Sequence, residues 1–76
     1  MVCYGNKLET LDLINKAELV ELNCDDNRLN SLILTGCPKL EILDCNNNRL
    51  TILNLKYCPL LEDENLTLGY VEIVLR

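Results

Sequence analysis

The stretch Leu40-Glu41-Ile42-Leu43-Asp44-Cys45-Asn46-Asn47-Asn48-Arg49-Leu50 decides the fold, because the chain contains the same phrase more than once. Its pattern is L-x-x-L-x-C-x-x-N-x-L, and residues 19–29 match it at every key position, 21 residues earlier. The end of the phrase also occurs at residues 3–8. Self-similarity at a fixed period of this size predicts a repeat architecture.

The 21-residue period continues beyond the phrase. Positions that share this spacing are Cys3, Cys24 and Cys45; Asn6, Asn27 and Asn48; Leu8, Leu29 and Leu50; Leu11, Leu32 and Leu53; Leu13, Leu34 and Leu55; Leu19, Leu40 and Leu61. A Cys-Pro pair recurs at residues 37–38 and 58–59. We divide the chain, as one domain, into units at about 1–18, 19–39 and 40–61, followed by a degenerate unit and C-terminal cap at 62–76.

The phrase resembles the consensus of leucine-rich-repeat proteins, with cysteine at one of the leucine positions. The resemblance covers residues 1 to about 62, and the cysteine column is most similar to the short repeats of the bacterial internalin J type. It implies a leucine-rich-repeat solenoid of the α/β class, dominated by β structure. The expected architecture is a curved parallel β-sheet of about four rungs, with short extended or 3-10 segments on the convex side.

The residues themselves favour this arrangement. Within each unit the Leu and Cys of L-x-C point to one side and their neighbours to the other, which is the periodicity of a strand. The asparagine after that strand can turn inward and bond backbone groups of the bend, because its short amide mimics backbone. With 49% apolar but only 4% aromatic residues, the core must be aliphatic.

The two ends depart from the pattern. Leu66, Val71 and Val74 fall on the periodic positions, but Glu64 and Gly69 stand where Leu and Asn are expected. Residues 71–76 are β-branched and strand-like. Residues 2–4 are expected to form a first strand with an open edge, which native proteins usually protect. A chain cut from a longer protein, a partner at this edge and self-association are the three interpretations.

Five cysteines leave several interpretations open. Stacked units would place Cys3, Cys24 and Cys45 about 4.8 Å apart with parallel side chains, which suits buried thiols better than disulfides. Cysteine behaves as a small apolar residue in cores, so we favour reduced core thiols, with Cys37 and Cys58 as a second column. Redox use and a metal site are the alternatives. We predict no metal, since C-x-x-C pairs are absent, and no cofactor.

The outward strand residues of the predicted sheet form an acidic and amide-rich concave face. Leucine-rich-repeat proteins typically bind partners there, so the resemblance implies a protein-binding role, most naturally for a partner with a basic surface. The alternative is a solvated polar face without a partner. The candidate binding residues are Tyr4, Glu21, Asn23, Asp25, Asp26, Ile42, Asp44, Asn46 and Asn47.

A basic column of Lys7, Arg28 and Arg49 follows the asparagine column. Three cations along one edge could meet phosphates or an acidic patch. This is the feature that keeps RNA contact within a larger assembly open. The net charge of −5 argues against simple electrostatic binding to a phosphate backbone.

Composition argues against an enzyme. The chain has no His, which removes the commonest general base and metal ligand. Its apolar runs are far shorter than a membrane span. The N-terminal residues show no secretory signal, so we predict a cytoplasmic location if Met1 is the true start. The hypotheses are a protein-interaction module, a small structural subunit of a ribonucleoprotein assembly, and a fragment of an internalin-like adhesin.

Overall fold

Seven short strands and a single 3-10 turn make up the regular structure of the chain. A computed structural model describes residues 1–76. The 3-10 turn spans Asp63–Asn65. The strands are β1 Thr10–Asp12, β2 Glu21–Asn23, β3 Ser31–Ile33, β4 Ile42–Asp44, β5 Ile52–Asn54, β6 Leu66–Thr67 and β7 Ile73–Leu75.

All strand pairs are parallel, and most join residues that are 21 apart. Thr10 of β1 pairs with Ser31 of β3, and Glu21 of β2 pairs with Ile42 of β4. The strands form three sheets, with the orders β1-β3, β2-β4-β6 and β5-β7. The predicted β-dominated, parallel architecture is confirmed. The single sheet of about four strands is not found, since the longest sheet has three strands, and the side segments form short sheets of their own.

Leucine and cysteine fill the interior. The core cluster holds 15 buried residues, all of them Leu or Cys. Leu22 and Leu43, at the centres of β2 and β4, are fully buried, while the strand residues on either side face outward. This alternation follows from the period of two in a strand. It also explains why the L-x-C phrase buries both its apolar members, as Cys24 and Cys45 do.

The predicted first strand at residues 2–4 is reduced to a single bridge between Val2 and Asn23. The Cys3 amide donates to the Asn23 carbonyl at 2.9 Å, and the Gly5 amide donates to the Asp25 carbonyl at 3.0 Å. Gly5 has a φ of +74°, so the chain turns away from the sheet immediately. The turn leaves too few extended residues for a strand.

The last unit changes register, which corrects the sequence alignment of residues 62–76. Leu66 pairs with Leu43, 23 residues away, rather than stacking on Cys45. Ile73 then pairs with Ile52 at the usual 21. The 3-10 turn uses two additional residues before β6, and the bend between β6 and β7 is two residues shorter. Gly69 therefore does not replace the periodic asparagine; the shortened bend has no such position.

Candidate partner-binding site

The outward residues of β2 and β4 form the centre of the candidate site. The register places Glu21 beside Ile42 and Asn23 beside Asp44, so that the two carboxylates lie on one diagonal. Glu21 is exposed and the other three are half-buried. The structure thus brings these four residues together on one surface, which we name the acidic face. No side-chain hydrogen bond or ion pair engages the carboxylates of Glu21 and Asp44.

Asp25 and Asp26 continue this face but have structural contacts. Asp25 Oδ1 accepts the backbone amide of Asn46 at 2.6 Å, and Asp26 Oδ1 accepts the side-chain amide of Asn47 at 2.8 Å. Both bonds join positions that are one unit apart. These carboxylates therefore hold neighbouring bends together and are less free to bind a partner than Glu21 and Asp44 are.

Backbone geometry gives a second reason for the residues at these bends. Gly5, Asp26 and Asn47 lie 21 residues apart and have φ values of 74°, 55° and 55°. This left-handed region favours Gly, and Asn and Asp tolerate it better than other residues. Sequence reasoning missed this column, although the series Gly, Asp, Asn at one period was its visible signal. Asp26 and Asn47 thus satisfy the backbone as well as facing solvent.

Tyr4 and Asn46 complete the predicted set. Tyr4 is exposed and precedes Gly5, whose amide donates to the Asp25 carbonyl, so that Tyr4 lies next to the acidic face. Asn46 is half-buried, and its Oδ1 would lie 3.0 Å from a Cβ placed on Gly69. The predicted residues therefore lie on one side of the molecule, with the first and last units bordering them.

Lys7, Arg28 and Arg49 form a separate basic row on the bends. The Arg28 amide donates to the Leu8 carbonyl at 2.8 Å, and the Arg49 amide donates to the Leu29 carbonyl at 2.7 Å, which aligns their backbones. All three side chains are exposed. The ion pairs of the structure are Lys39–Glu18 and Arg76–Asp63, so the cations of the row are unpaired.

The asparagine column lies directly beneath this row. The side-chain amide of Asn48 donates to the carbonyls of Cys24, Cys45 and Asn46, at 3.0, 3.2 and 3.1 Å. Its Oδ1 accepts the amide of Leu29 at 3.0 Å. Asn27 makes the same four types of bond one unit earlier. Asn6 is exposed and bonds only the Cys3 and Tyr4 carbonyls of its own bend. Each inner asparagine therefore joins two units.

The cysteine columns lie inside the core. All five cysteines are free; four are buried, and Cys3 is half-buried. The Cys24 thiol donates to the Asp44 carbonyl at 3.4 Å, and the Cys58 thiol donates to the Leu34 carbonyl at 3.6 Å. Burial raises the pKa of Cys24 and Cys45 to about 12 and that of Cys58 to about 11. These thiols are poor nucleophiles, because the thiolate is the reactive form.

The buried thiols predict a loss of stability at alkaline pH. Their pKa values are raised from 9.0, so the folded chain keeps protons that the unfolded chain releases. The stabilisation is fully present below pH 9 and is lost as the pH rises toward 12. Each such thiol should lower the free energy of unfolding by up to about 1.4 kcal/mol per pH unit in this window. Urea unfolding between pH 7 and 10.5 measures the slope. The double variant Cys24→Ala, Cys45→Ala should show a shallower slope; an unchanged slope would contradict the assignment.

An apolar group on the opposite sheets was not anticipated from the sequence. Ile33, Ile52, Ile73 and Leu75 lie on the outward side of β3, β5 and β7, and all four are exposed. Their signal was an apolar residue directly beside the inward leucine. Isoleucine at these outward positions fits the β-propensity of branched side chains.

The remaining surface features are few. No pocket opens on the surface, and no group of three or more His, Cys, Asp or Glu residues is arranged to hold a metal ion. The chain has no helix of the length and apolar character needed to cross a membrane. Comparison with protein-family models, with curated proteins and with solved structures yields no match.

Proposed function

We propose that the chain is a leucine-rich-repeat solenoid that acts as a protein-interaction module and binds its partner through the acidic face. The observation that carries this proposal is the pair of unengaged carboxylates, Glu21 and Asp44, on adjoining strands. The solenoid is supported by strand pairs at the same 21-residue offset as the sequence period. The proposal includes no catalytic activity.

A partner with a basic, partly apolar surface suits this face. Glu21 and Asp44 lie on the diagonal of a four-residue patch whose other members are Ile42 and Asn23. Charge complementarity across an interface supports fast association and selects against wrong partners. Half-buried Ile42 adds apolar area at the centre, where binding energy usually concentrates. Tyr4 extends the surface toward the first unit, where the Val2 and Tyr4 amides have no backbone partner.

Charge reversal at Glu21 and Asp44 tests the acidic face. We expect the variant Glu21→Lys, Asp44→Lys to lose binding by at least about 10-fold, because two attractive contacts become repulsive. Asp25 and Asp26 are unsuitable for this test, since their carboxylates hold backbone and side-chain amides of the next unit. The measurement is capture of partners from cell extract by the wild-type chain, followed by titration of each captured protein against both chains.

The matched control is Glu9→Lys, Glu64→Lys. It makes the same change of charge at two exposed residues that lie outside the acidic face. If the control weakens binding as much as the test variant does, overall charge rather than this face is responsible. Capture of no protein at physiological salt would remove the basis of the proposal.

The basic row supports a second candidate, a structural subunit of a ribonucleoprotein assembly. Lys7, Arg28 and Arg49 are exposed and unpaired, and hydrogen bonds between units align their backbones. Under this candidate, Arg28→Glu, Arg49→Glu should abolish association with RNA, while the acidic-face variant keeps it. Affinity should fall steeply with salt, since each neutralised phosphate releases a counterion. Binding to RNA that does not depend on salt would exclude the row as the contact.

A further inference from the structure

Residues 62–76, which we name the strap, cover the third unit without being buried themselves. Every strap residue is exposed or half-buried. Beneath it lie Leu43, Cys45, Leu50 and Leu53, each at most 3% exposed. The strap therefore contributes little of its own apolar surface to the core but keeps water from a fully apolar layer.

Hydrogen bonds hold the strap less firmly than they hold the other units. The second and third units are joined by the side chains of Asp25, Asp26 and Asn48, in addition to backbone pairing. The strap pairs by backbone alone with the strands beneath it. Its one ion pair, Arg76 with Asp63 at 2.9 Å, lies within the strap, and Arg76 also donates to the Leu61 carbonyl.

The register change has the same consequence. The shortened bend of the strap has no asparagine, so the Leu50 amide lacks the partner that Leu8 and Leu29 receive from Asn27 and Asn48. The additional residues before β6 lie in an exposed segment, 62–65, which has no buried residue and includes the 3-10 turn. An exposed connection with few contacts is where a chain can straighten at low cost.

Opening of the strap would uncover Leu50, Leu53 and the free edges of β4 and β5. Such a layer is costly to leave in water. The segment that fits it best is the one that covers it in the structure, and a second copy of the chain supplies an identical segment. Exchange of one element between two identical chains restores every contact except those at the connection.

We propose that two copies of this chain exchange their straps, so that residues 66–76 of each pair with β4 and β5 of the other, with residues 62–65 as the hinge. The monomer and the exchanged dimer share the same core contacts. The balance between them therefore follows concentration. The dimer presents two acidic faces and does not depend on the function proposed for them.

Hydrogen exchange tests whether the strap opens. The Cys45 amide donates to Thr67 of the strap, and the Cys24 amide makes the equivalent bond to Asp44, both at 2.8 Å. In dilute protein the Cys45 amide should exchange on the order of 100-fold faster than the Cys24 amide, because local opening requires less free energy than global unfolding. Equal rates for the two amides would overturn the proposal.

Crosslinking tests whether the opened strap binds a second copy. Ile52 and Ile73 pair directly and are exposed, so either can be changed to cysteine with little effect on the core. Two single variants, Ile52→Cys and Ile73→Cys, each carrying Cys3→Ser, are unfolded together, refolded at high concentration and treated with a short bismaleimide. Paired strands lie about 4.8 Å apart, within reach of the reagent.

The mixture should give a covalent dimer that increases with the concentration at refolding, and neither variant alone should give one. Sedimentation of the wild-type chain, refolded in the same way, should show the same dimer. A purely monomeric wild-type chain at all concentrations would overturn the proposal. So would a crosslinked dimer of equal yield from a single variant, because it would indicate side-by-side association without exchange.

Discussion

Replacing Asn48 by alanine should lower the free energy of unfolding by about 3 to 5 kcal/mol, a large share of the stability of so small a domain. The side chain makes four bonds that join the second and third units. Without it, the amide of fully buried Leu29 and the carbonyl of Cys45 lose their partners. An unpaired buried polar group costs about 1 to 3 kcal/mol, so two such groups account for most of the loss.

Asn6→Ala is the matched control for this prediction. Asn6 occupies the same position in the first unit, but it is exposed and bonds only its own bend. Its loss should cost less than about 1 kcal/mol, since water can replace the amide. Urea unfolding of both variants measures the difference through the midpoint, with the slope unchanged. Equal losses for the two variants would show that the bonds between units contribute nothing beyond those within a bend.

Gly36→Ala should be comparably damaging, for a steric reason. A Cβ on Gly36 would lie 2.5 Å from the Asn15 nitrogen, 2.6 Å from the Ile14 Cα and 2.7 Å from the Leu13 oxygen. These are backbone atoms of the preceding unit, so no side-chain rotation relieves the overlap. The first unit must move, which strains the bond from the Gly36 amide to the Leu13 carbonyl, now 3.1 Å. We expect a loss of about 3 kcal/mol or more, measured by thermal and urea unfolding.

Gly5→Ala separates crowding from backbone conformation. Gly5 has a φ of +74°, but no atom lies within 4 Å of the position that a Cβ would occupy, whereas Gly36 is crowded without a left-handed φ. Alanine at position 5 should therefore cost only the conformational penalty of about 1 to 2 kcal/mol. If Gly36→Ala costs no more than Gly5→Ala, the first unit moves away from the second more easily than its contacts indicate.

Much of the architecture could be predicted from local alternation and from the period. The inward columns of Leu and Cys are buried because residues on one side of a strand recur every second position. The candidate site was less predictable. Asp25 and Asp26 looked equivalent to Asp44 in the sequence, yet their carboxylates bond amides of the next unit. Which carboxylates are free depends on how closely two bends approach, and a linear pattern contains no such distance.

By itself, the sequence determined the 21-residue period, the aliphatic core and the parallel pairing of equivalent residues, because each follows from the order of apolar and polar side chains. Only the tertiary structure decided the register change at Leu66, the crowding at Gly36 and the bonds that occupy Asp25 and Asp26. These features depend on distances between residues about 20 positions apart. Such distances are set when the units pack together, and the order of residues within one unit does not specify them.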